Sequence, residues 1–392
     1  MSHTSQGSIS EKTLIVGHHY PAIDGLRGIA VLLVIWFHAS IFAHEVNPAA
    51  YTGFLRFYYN FTVLGSTGVD LFFILSGFLI TGILIDTAYE KGIFKNFYIR
   101  RALRIFPLYY LCLALFTVVC LASGKDIFSG MRWLTHLFYL QNWSVLYNFD
   151  SYMYLNHTWS LAVEEQFYLL WPFLFLAVYK RSMKMTIVMC LVLIISSGIL
   201  RSVFYHQGFQ KLYYSATICR LDGLILGALL AVLCKNYKAY MRKNIDVFLY
   251  GMVVTSLVVV VMALSSADYN AFHGLLISLG LVVCNVFYTC LLACIFLGDT
   301  RSGICALFRN KYLQGIGRVS YGVYIVHVPV MMVIGYYMVS YEMTYWWNHI
   351  LLLIGGSVVS VILALLSYKF FESPILRLKS KYAPLTMTEK SK

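Results

Sequence analysis

Charge is scarce in this 392-residue chain: Asp and Glu together number 17, Lys and Arg 30, and charged residues make up only 12% of the total. With 60% hydrophobic residues and a mean hydropathy of +0.72, that scarcity excludes a water-soluble globule, whose interior could not hide so much apolar surface. No Cys-x-x-Cys pair occurs among the nine cysteines. Cys112, Cys190, Cys234 and Cys284 lie inside apolar runs, where packing is their expected role, and no metal site is expected. The first twenty residues lack an apolar core followed by a small-residue cleavage site, so the first membrane helix is expected to insert uncleaved. No internal repeat, low-complexity linker or appended soluble domain is visible. The expected organisation is an N-terminal tail (1–20), one transmembrane domain (21–375) and a C-terminal tail (376–392).

What is present is a succession of apolar windows, at about 22–43, 64–86, 103–123, 159–179, 184–204, 213–234, 246–266, 272–297, 313–339 and 349–371, each near the length a bilayer requires. The formal net charge of +13 does not mark a nucleic-acid binder, because the basic residues fall in short tracts between these windows. One set of connectors carries Lys91, Lys95, Arg100 and Arg101; Lys180, Arg181 and Lys184; Lys235, Lys238, Arg242 and Lys243; Arg301, Arg309 and Lys311; and Lys369, Arg377, Lys379 and Lys381. The alternate set holds only Arg56, Lys125, Arg132 and Lys211, with Asp268 and Glu342 in loops that have no basic residue. By the positive-inside rule both termini are cytoplasmic. The fold class is therefore all-α, a polytopic integral membrane protein of about ten transmembrane helices. The longest outer connector carries Trp133, Tyr139, Trp143, Tyr147, Tyr152 and Tyr154, which an interfacial aromatic girdle explains better than a carbohydrate-stacking surface.

Several polar groups interrupt the windows, and ionisable groups in a bilayer core mark sites by default. Arg27 and His38 share the first helix, about three turns and roughly 16 Å apart on one face. In the second, Asp70 stands at a depth where it can orient His38, although a helix cap is an equal reading; Ser76 and Gly77 read as close-packing residues. Arg101 and Arg104 are three residues apart, a spacing that suits phosphate oxygens, with lipid-headgroup anchoring as the blander reading. Glu164 and Glu165 point about 100° apart, and Glu164 shares its face with Tyr168. Arg220 and Asp222 can neutralise one another or reach toward Glu164 and His38. Tyr324 and His327 share a face of the ninth segment, where His327 reads as a hydrogen-bonded core histidine.

Taken in order, these blocks resemble acyltransferase family 3, the multi-spanning membrane acyltransferases of bacterial surface glycans. The resemblance rests on Arg27 and His38; Phe72-Phe73-Ile74-Leu75-Ser76-Gly77-Phe78; Arg101-x-x-Arg104 with Pro107; Trp159-Ser160-Leu161 leading into Glu164, Gln166, Phe167 and Tyr168; Arg220 and Asp222; Gly317, Ser320, Tyr321, Tyr324 and His327; and the closing Tyr368, Glu372 and Pro374. It implies a ten-helix core in the bacterial inner membrane and a stand-alone O-acyltransferase. That enzyme would hand its acyl group to the acceptor directly or to a separate periplasmic partner enzyme. It also implies acyl-CoA, by default acetyl-CoA, as a co-substrate rather than a resident cofactor, with Arg101 and Arg104 holding its phosphates and Arg27 assisting. His38 is then the essential imidazole, with Glu164 or Asp70 orienting it and Ser76, Tyr168, Arg220, Asp222, Tyr324 and His327 in support. The partners implied are membrane lipid and a glycan or lipid-linked glycan, among them lipopolysaccharide O-antigen, exopolysaccharide and peptidoglycan, with no nucleic acid. Two other readings stand beside it: a transporter or flippase that uses the same buried charges as a substrate path, and a non-catalytic lipid-binding relative.

Overall fold

The computed structural model describes residues 14–16, 18–43, 58, 61–122, 124, 132–143, 153–265, 279–298, 303–339 and 345–384. The ends of both tails, Arg56, Lys125, Asp268, Arg301 and Glu342, and the loop tyrosines Tyr147 and Tyr152 lie outside the described residues.

Among the described residues there is no strand. The chain forms α1 (Pro21–Phe42), a 3₁₀ turn (Val63–Thr67), α2 (Gly68–Asp86), α3 (Ile93–Ala122), α4 (Arg132–Leu137), a 3₁₀ turn (Met153–Thr158), α5 (Trp159–Tyr179), α6 (Met183–His206), α7 (Gln210–Ser215) and α8 (Thr217–Lys243). It continues through α9 (Ile245–Ser265), α10 (Leu281–Leu297), α11 (Gly303–Phe308), α12 (Lys311–Arg318), α13 (Ser320–Val339), α14 (Tyr345–Ser367), a π turn (Tyr368–Glu372) and α15 (Ser373–Tyr382). Nine of the described helices are long and apolar enough to cross a bilayer, and Leu281–Leu297 is a shorter apolar helix beside them. Each of the ten windows read from the sequence overlaps one of these; residues 272–278 of the eighth lie outside the described residues.

Burial sorts the helices into a centre and a rim. The apolar window of Val63–Asp86 is 78% buried and that of Leu212–Lys243 is 72% buried, whereas none of the Ile245–Met262 window is. The outward Val253, Val254, Leu257 and Val261 of α9 face the space that lipid fills. At the centre α8 packs on α2, and glycine makes the contact possible: a β-carbon at Gly77 would overlap the Leu224 carbonyl oxygen, and one at Gly227 the Ile74 carbonyl oxygen. This reciprocal crossing is the close approach expected of Gly77.

Three departures from the expected organisation matter for the site. The last stretch of the N-terminal tail is ordered against the bundle: the backbone N–H groups of Leu14, Ile15 and Val16 all donate to the Asp86 carboxylate at 2.7–2.9 Å. The ninth window divides at Val319, where α12, capped by the Asn310 side chain, packs on α1 before α13 begins. The expected C-terminal tail from 376 begins within α15, a helix that lies against α3. Arg100 Nη1 donates to the Ala383 carbonyl at 2.7 Å and Asn96 Nδ2 to the Pro384 carbonyl at 3.2 Å, so the end of α15 is tied to the start of α3.

Candidate functional site

A cavity brings together Arg27 of α1, Ser76 of α2, Arg101 and Arg104 of α3, Glu164 and Tyr168 of α5, and Tyr324 of α13. Seven residues singled out in the sequence thus meet in one space, although they come from five helices. α3 supplies two arginines because the helix runs unbroken from Ile93 into its apolar part, with Arg101 and Arg104 on adjacent turns. α5 supplies Glu164 and Tyr168 from one face, four residues apart, while Glu165 is turned away and does not line the cavity.

The polar wall is a connected chain. Tyr168 donates its phenolic hydrogen to Ser76 Oγ at 3.0 Å, and Ser76 Oγ donates to Glu164 Oε1 at 2.6 Å. Ser76 is therefore a bridge between α2 and α5 rather than a packing residue. The Arg101 guanidinium lies 5.3 Å from the Tyr168 ring centroid and 6.0 Å from that of Phe97, a placement that holds its plane while leaving N–H groups for an anion. The salt bridges of the described residues run to Asp24, Asp70, Asp86 and Asp222, and none involves Arg27, Arg101 or Arg104.

At its far end the cavity meets a cluster of three histidines. Tyr324, a lining residue, has its ring centroid 5.5 Å from those of both His157 and His327. Its hydroxyl donates to the His157 carbonyl oxygen at 2.8 Å and lies 2.5 Å from Ser160 Oγ. His327 is fully buried and His157 nearly so, while His38 is half-buried.

The partners of these rings assign the protons. His38 Nδ1 lies 2.9 Å from the Val34 carbonyl oxygen, which can only accept, so this nitrogen carries hydrogen. By the same argument His327 Nδ1, 2.6 Å from the Tyr324 carbonyl oxygen, carries hydrogen, and His327 Nε2 presents a lone pair to His38 Nδ1 at 3.3 Å. The neutral His38 imidazole then keeps its free lone pair on Nε2. His157 Nε2 donates to the Ile325 carbonyl oxygen at 3.2 Å, and its buried Nδ1 has no partner among the described residues.

Two expectations are corrected here. Neither Asp70 nor Glu164 is the hydrogen-bond partner of His38: its Nδ1 hydrogen is directed at the Val34 carbonyl oxygen, with His327 Nε2 3.3 Å from the same nitrogen. Asp70 is taken up by Arg220, whose Nη2 donates to its Oδ1 at 2.8 Å with both side chains buried, and Glu164 is taken up by Ser76. Arg220 and Asp222 do not neutralise one another either: two residues apart on α8 they point in different directions. Asp222 pairs with Arg201 of α6 at 2.8 Å, and Arg201 also donates to the Cys219 carbonyl oxygen. Arg220 sits among the rings of Phe73, Trp159 and Tyr214 at 5.4–5.7 Å. The two ion pairs staple α2 and α6 to α8 beside the site.

His157 and Arg201 were missed in the sequence. The available signals were a histidine directly before Trp159-Ser160-Leu161 and an arginine within an apolar span. In the outer connector, Trp143 donates to Gln166 Oε1 at 3.1 Å and Gln166 Nε2 donates to the Tyr139 carbonyl oxygen at 2.7 Å. These described residues bind the connector to α5.

Fold and site define a multi-spanning membrane protein in which an arginine-lined cavity leads to a buried imidazole cluster. The chain belongs to acyltransferase family 3, whose profile, described as an acyltransferase domain, matches residues 20–369. The YrhL protein of Bacillus subtilis, provisionally named a peptidoglycan O-acetyltransferase, is 31% identical over 382 residues, covering 91% of this chain and 55% of that protein. A Staphylococcus aureus protein provisionally named an O-acetyltransferase is 29% identical over 389 residues, covering 93% and 60%. The Listeria monocytogenes peptidoglycan O-acetyltransferase OatA is 28% identical over 376 residues, covering 91% and 56%. The chain thus spans little more than half the length of these curated relatives. No solved structure matches it significantly.

Proposed function

We propose that this chain is a membrane O-acetyltransferase that takes its acyl group from cytoplasmic acetyl-CoA and delivers it to a hydroxyl of a cell-surface glycan on the other side of the bilayer. The observation that carries this reading is the arginine-lined cavity with Ser76, Glu164, Tyr168 and Tyr324 on its wall, where Tyr324 packs on His327 and His327 in turn contacts His38. Arg101 and Arg104 suit the donor phosphates, because guanidinium groups bind such oxygens with paired hydrogen bonds. Arg27 lines the same cavity.

His38 Nε2 is the base. It accepts the proton of the acceptor hydroxyl as that oxygen attacks the thioester carbonyl; the tetrahedral intermediate then expels the CoA thiolate, which takes the proton as thiol. The Val34 carbonyl oxygen accepts from His38 Nδ1 and fixes the tautomer, while the His327 Nε2 lone pair, 3.3 Å from that same N–H, steadies the imidazolium as a carboxylate does in a serine-hydrolase triad. The names of the relatives favour peptidoglycan over the other glycans as the acceptor.

NMR spectra of surface glycans from cells lacking the gene, complemented with wild type or His38→Ala, test the reading. The O-acetyl signal is expected to return with wild type alone. Its return with His38→Ala would overturn the assignment. A transporter would leave the thioester of labelled acetyl-CoA unconsumed in inverted membranes, whereas the proposed enzyme consumes it.

A further inference from the structure

α15 is polar and follows a span that is already complete, since the 23 residues of α14 suffice to cross a bilayer. Nothing in the described path from cavity to histidines requires it, yet it is tied to α3 at two places. Those ties define a register. Pro384 lies at Asn96 and Ala383 at Arg100, so the helices run antiparallel, and a step of one turn back along α15 and one turn forward along α3 sets Lys379 opposite Arg104. Further along, Glu372 at the head of α15 reaches α13, with its Oε1 3.5 Å from where a β-carbon on Gly322 would stand, and it accepts from Ser367 Oγ at 3.2 Å. Lys379 is half-buried at this contact, unlike its exposed neighbours Arg377 and Lys381.

The result is a basic cluster at the mouth of the cavity: Arg101 and Arg104 line the interior, and Lys379 closes over Arg104 from outside. None of the three takes part in a salt bridge among the described residues. Like charges held at close range raise the free energy of the empty site, and an anion of high charge density relieves it. The same crowding acts on Lys379. Burial, followed by the neighbouring guanidinium groups of Arg104, Arg101 and Arg100, pulls its ammonium down to about 7.

We infer that Lys379 and Arg104 form a second phosphate site, at the mouth of the cavity, for the phosphomonoester on the nucleotide ribose of the CoA donor. This rests on the donor reading above and extends it: Arg101 and Arg27 serve the part of the donor within the cavity, while α15 reads the nucleotide end and selects full CoA thioesters over shorter pantetheine ones. The same cluster chemistry also suits the phosphate of an anionic lipid, and the test separates the two sources.

The experiment uses the full chain in nanodiscs, with KM and kcat measured for acetyl-CoA and for acetyl-3′-dephospho-CoA, which lacks only that phosphate. Wild type is expected to lose roughly tenfold in KM on losing the phosphate, the size of one charge-assisted hydrogen bond. Lys379→Gln is expected to show that same loss with acetyl-CoA, no further loss with the dephospho donor, and an unchanged kcat; Lys379→Arg retains the discrimination. Equal KM values for the two donors in wild type overturn the inference while leaving the donor reading intact, as does a Lys379→Gln defect of equal size with both. Wild type that consumes neither thioester overturns the donor reading itself. A Lys379→Gln defect that is seen in phosphatidylglycerol nanodiscs and vanishes in pure phosphatidylcholine overturns the nucleotide assignment and gives the site to the lipid headgroup.

Discussion

His38 Nδ1 and His327 Nε2 stand 3.3 Å apart, on residues 289 positions apart in sequence, and the Nδ1 hydrogen of each ring is directed at a backbone carbonyl oxygen, Val34 for His38 and Tyr324 for His327. Because Val34 and Tyr324 supply only acceptors, the pair has one consistent proton arrangement, and it leaves His38 Nε2 free as a base. Replacing His327 by Ala is therefore expected to lower kcat by roughly 10- to 100-fold, the usual cost of losing a group that orients an imidazole, while KM for the donor stays put. His327→Gln, whose side-chain oxygen can accept from His38 Nδ1, is expected to recover part of the loss. Steady-state kinetics of the two variants checks this; equal loss in both would assign His327 to packing alone.

The buried ion pairs predict an asymmetry in stability. Asp70→Asn leaves the Arg220 charge buried without its counter-ion, and removing one partner of such a pair costs about 3–5 kcal/mol. Replacing Asp70 and Arg220 together by Leu and Met is expected to restore much of the loss, since desolvating the pair is itself costly. Thermal unfolding in detergent measures both, and a double variant no better than Asp70→Asn would contradict the staple reading.

The crossing of α2 and α8 tolerates no side chain at Gly77, where the Leu224 carbonyl oxygen occupies the place of a β-carbon. Gly77→Val is expected to destabilise the fold by about 1–3 kcal/mol or more, as overpacking does, and to disturb Ser76 and hence its bridge to Glu164. Gly335, with open space around it, is the control: Gly335→Ala is expected to be silent in the same unfolding assay.

Donor binding is expected to depend on pH through Lys379. Its ammonium, pulled down to about 7 by burial and by Arg104, Arg101 and Arg100, is only partly charged in the free protein at neutral pH, with Arg377, Lys381 and Glu372 as the other charged groups of its helix segment. A bound phosphate raises that pKa, so binding takes up a proton and strengthens as pH falls through about 7. Calorimetry of acetyl-CoA binding in buffers of different ionisation enthalpy reads the uptake directly, and Lys379→Arg is expected to abolish its lysine-dependent part.

The spans were legible because their signal is local. An apolar run of bilayer length has one solution, and the ten windows overlap helices, the ninth being divided at Val319. Arg27 and Glu164 were legible singly because each is costly where it stands, whereas Arg101, Arg104 and Tyr168 joined them only through the ordered resemblance to the family. Pairings were not legible. Asp70 and Arg220 are 150 residues apart, and nothing in either segment says that Asp222 turns to Arg201 instead. His157 escaped notice because it precedes its helix rather than interrupting one. α15 escaped because a short basic helix reads as a tail unless the surface it packs on is known.

The central claim is transfer of an acyl group through His38 from one face of the bilayer to the other. Its most direct test is a proteoliposome assay with labelled acetyl-CoA on one side and a glycan acceptor confined to the other, comparing wild type with His38→Ala. The account predicts labelled acceptor and consumed thioester with wild type and neither with His38→Ala. Labelled acceptor at the wild-type rate with His38→Ala, or intact thioester with wild type, would contradict it.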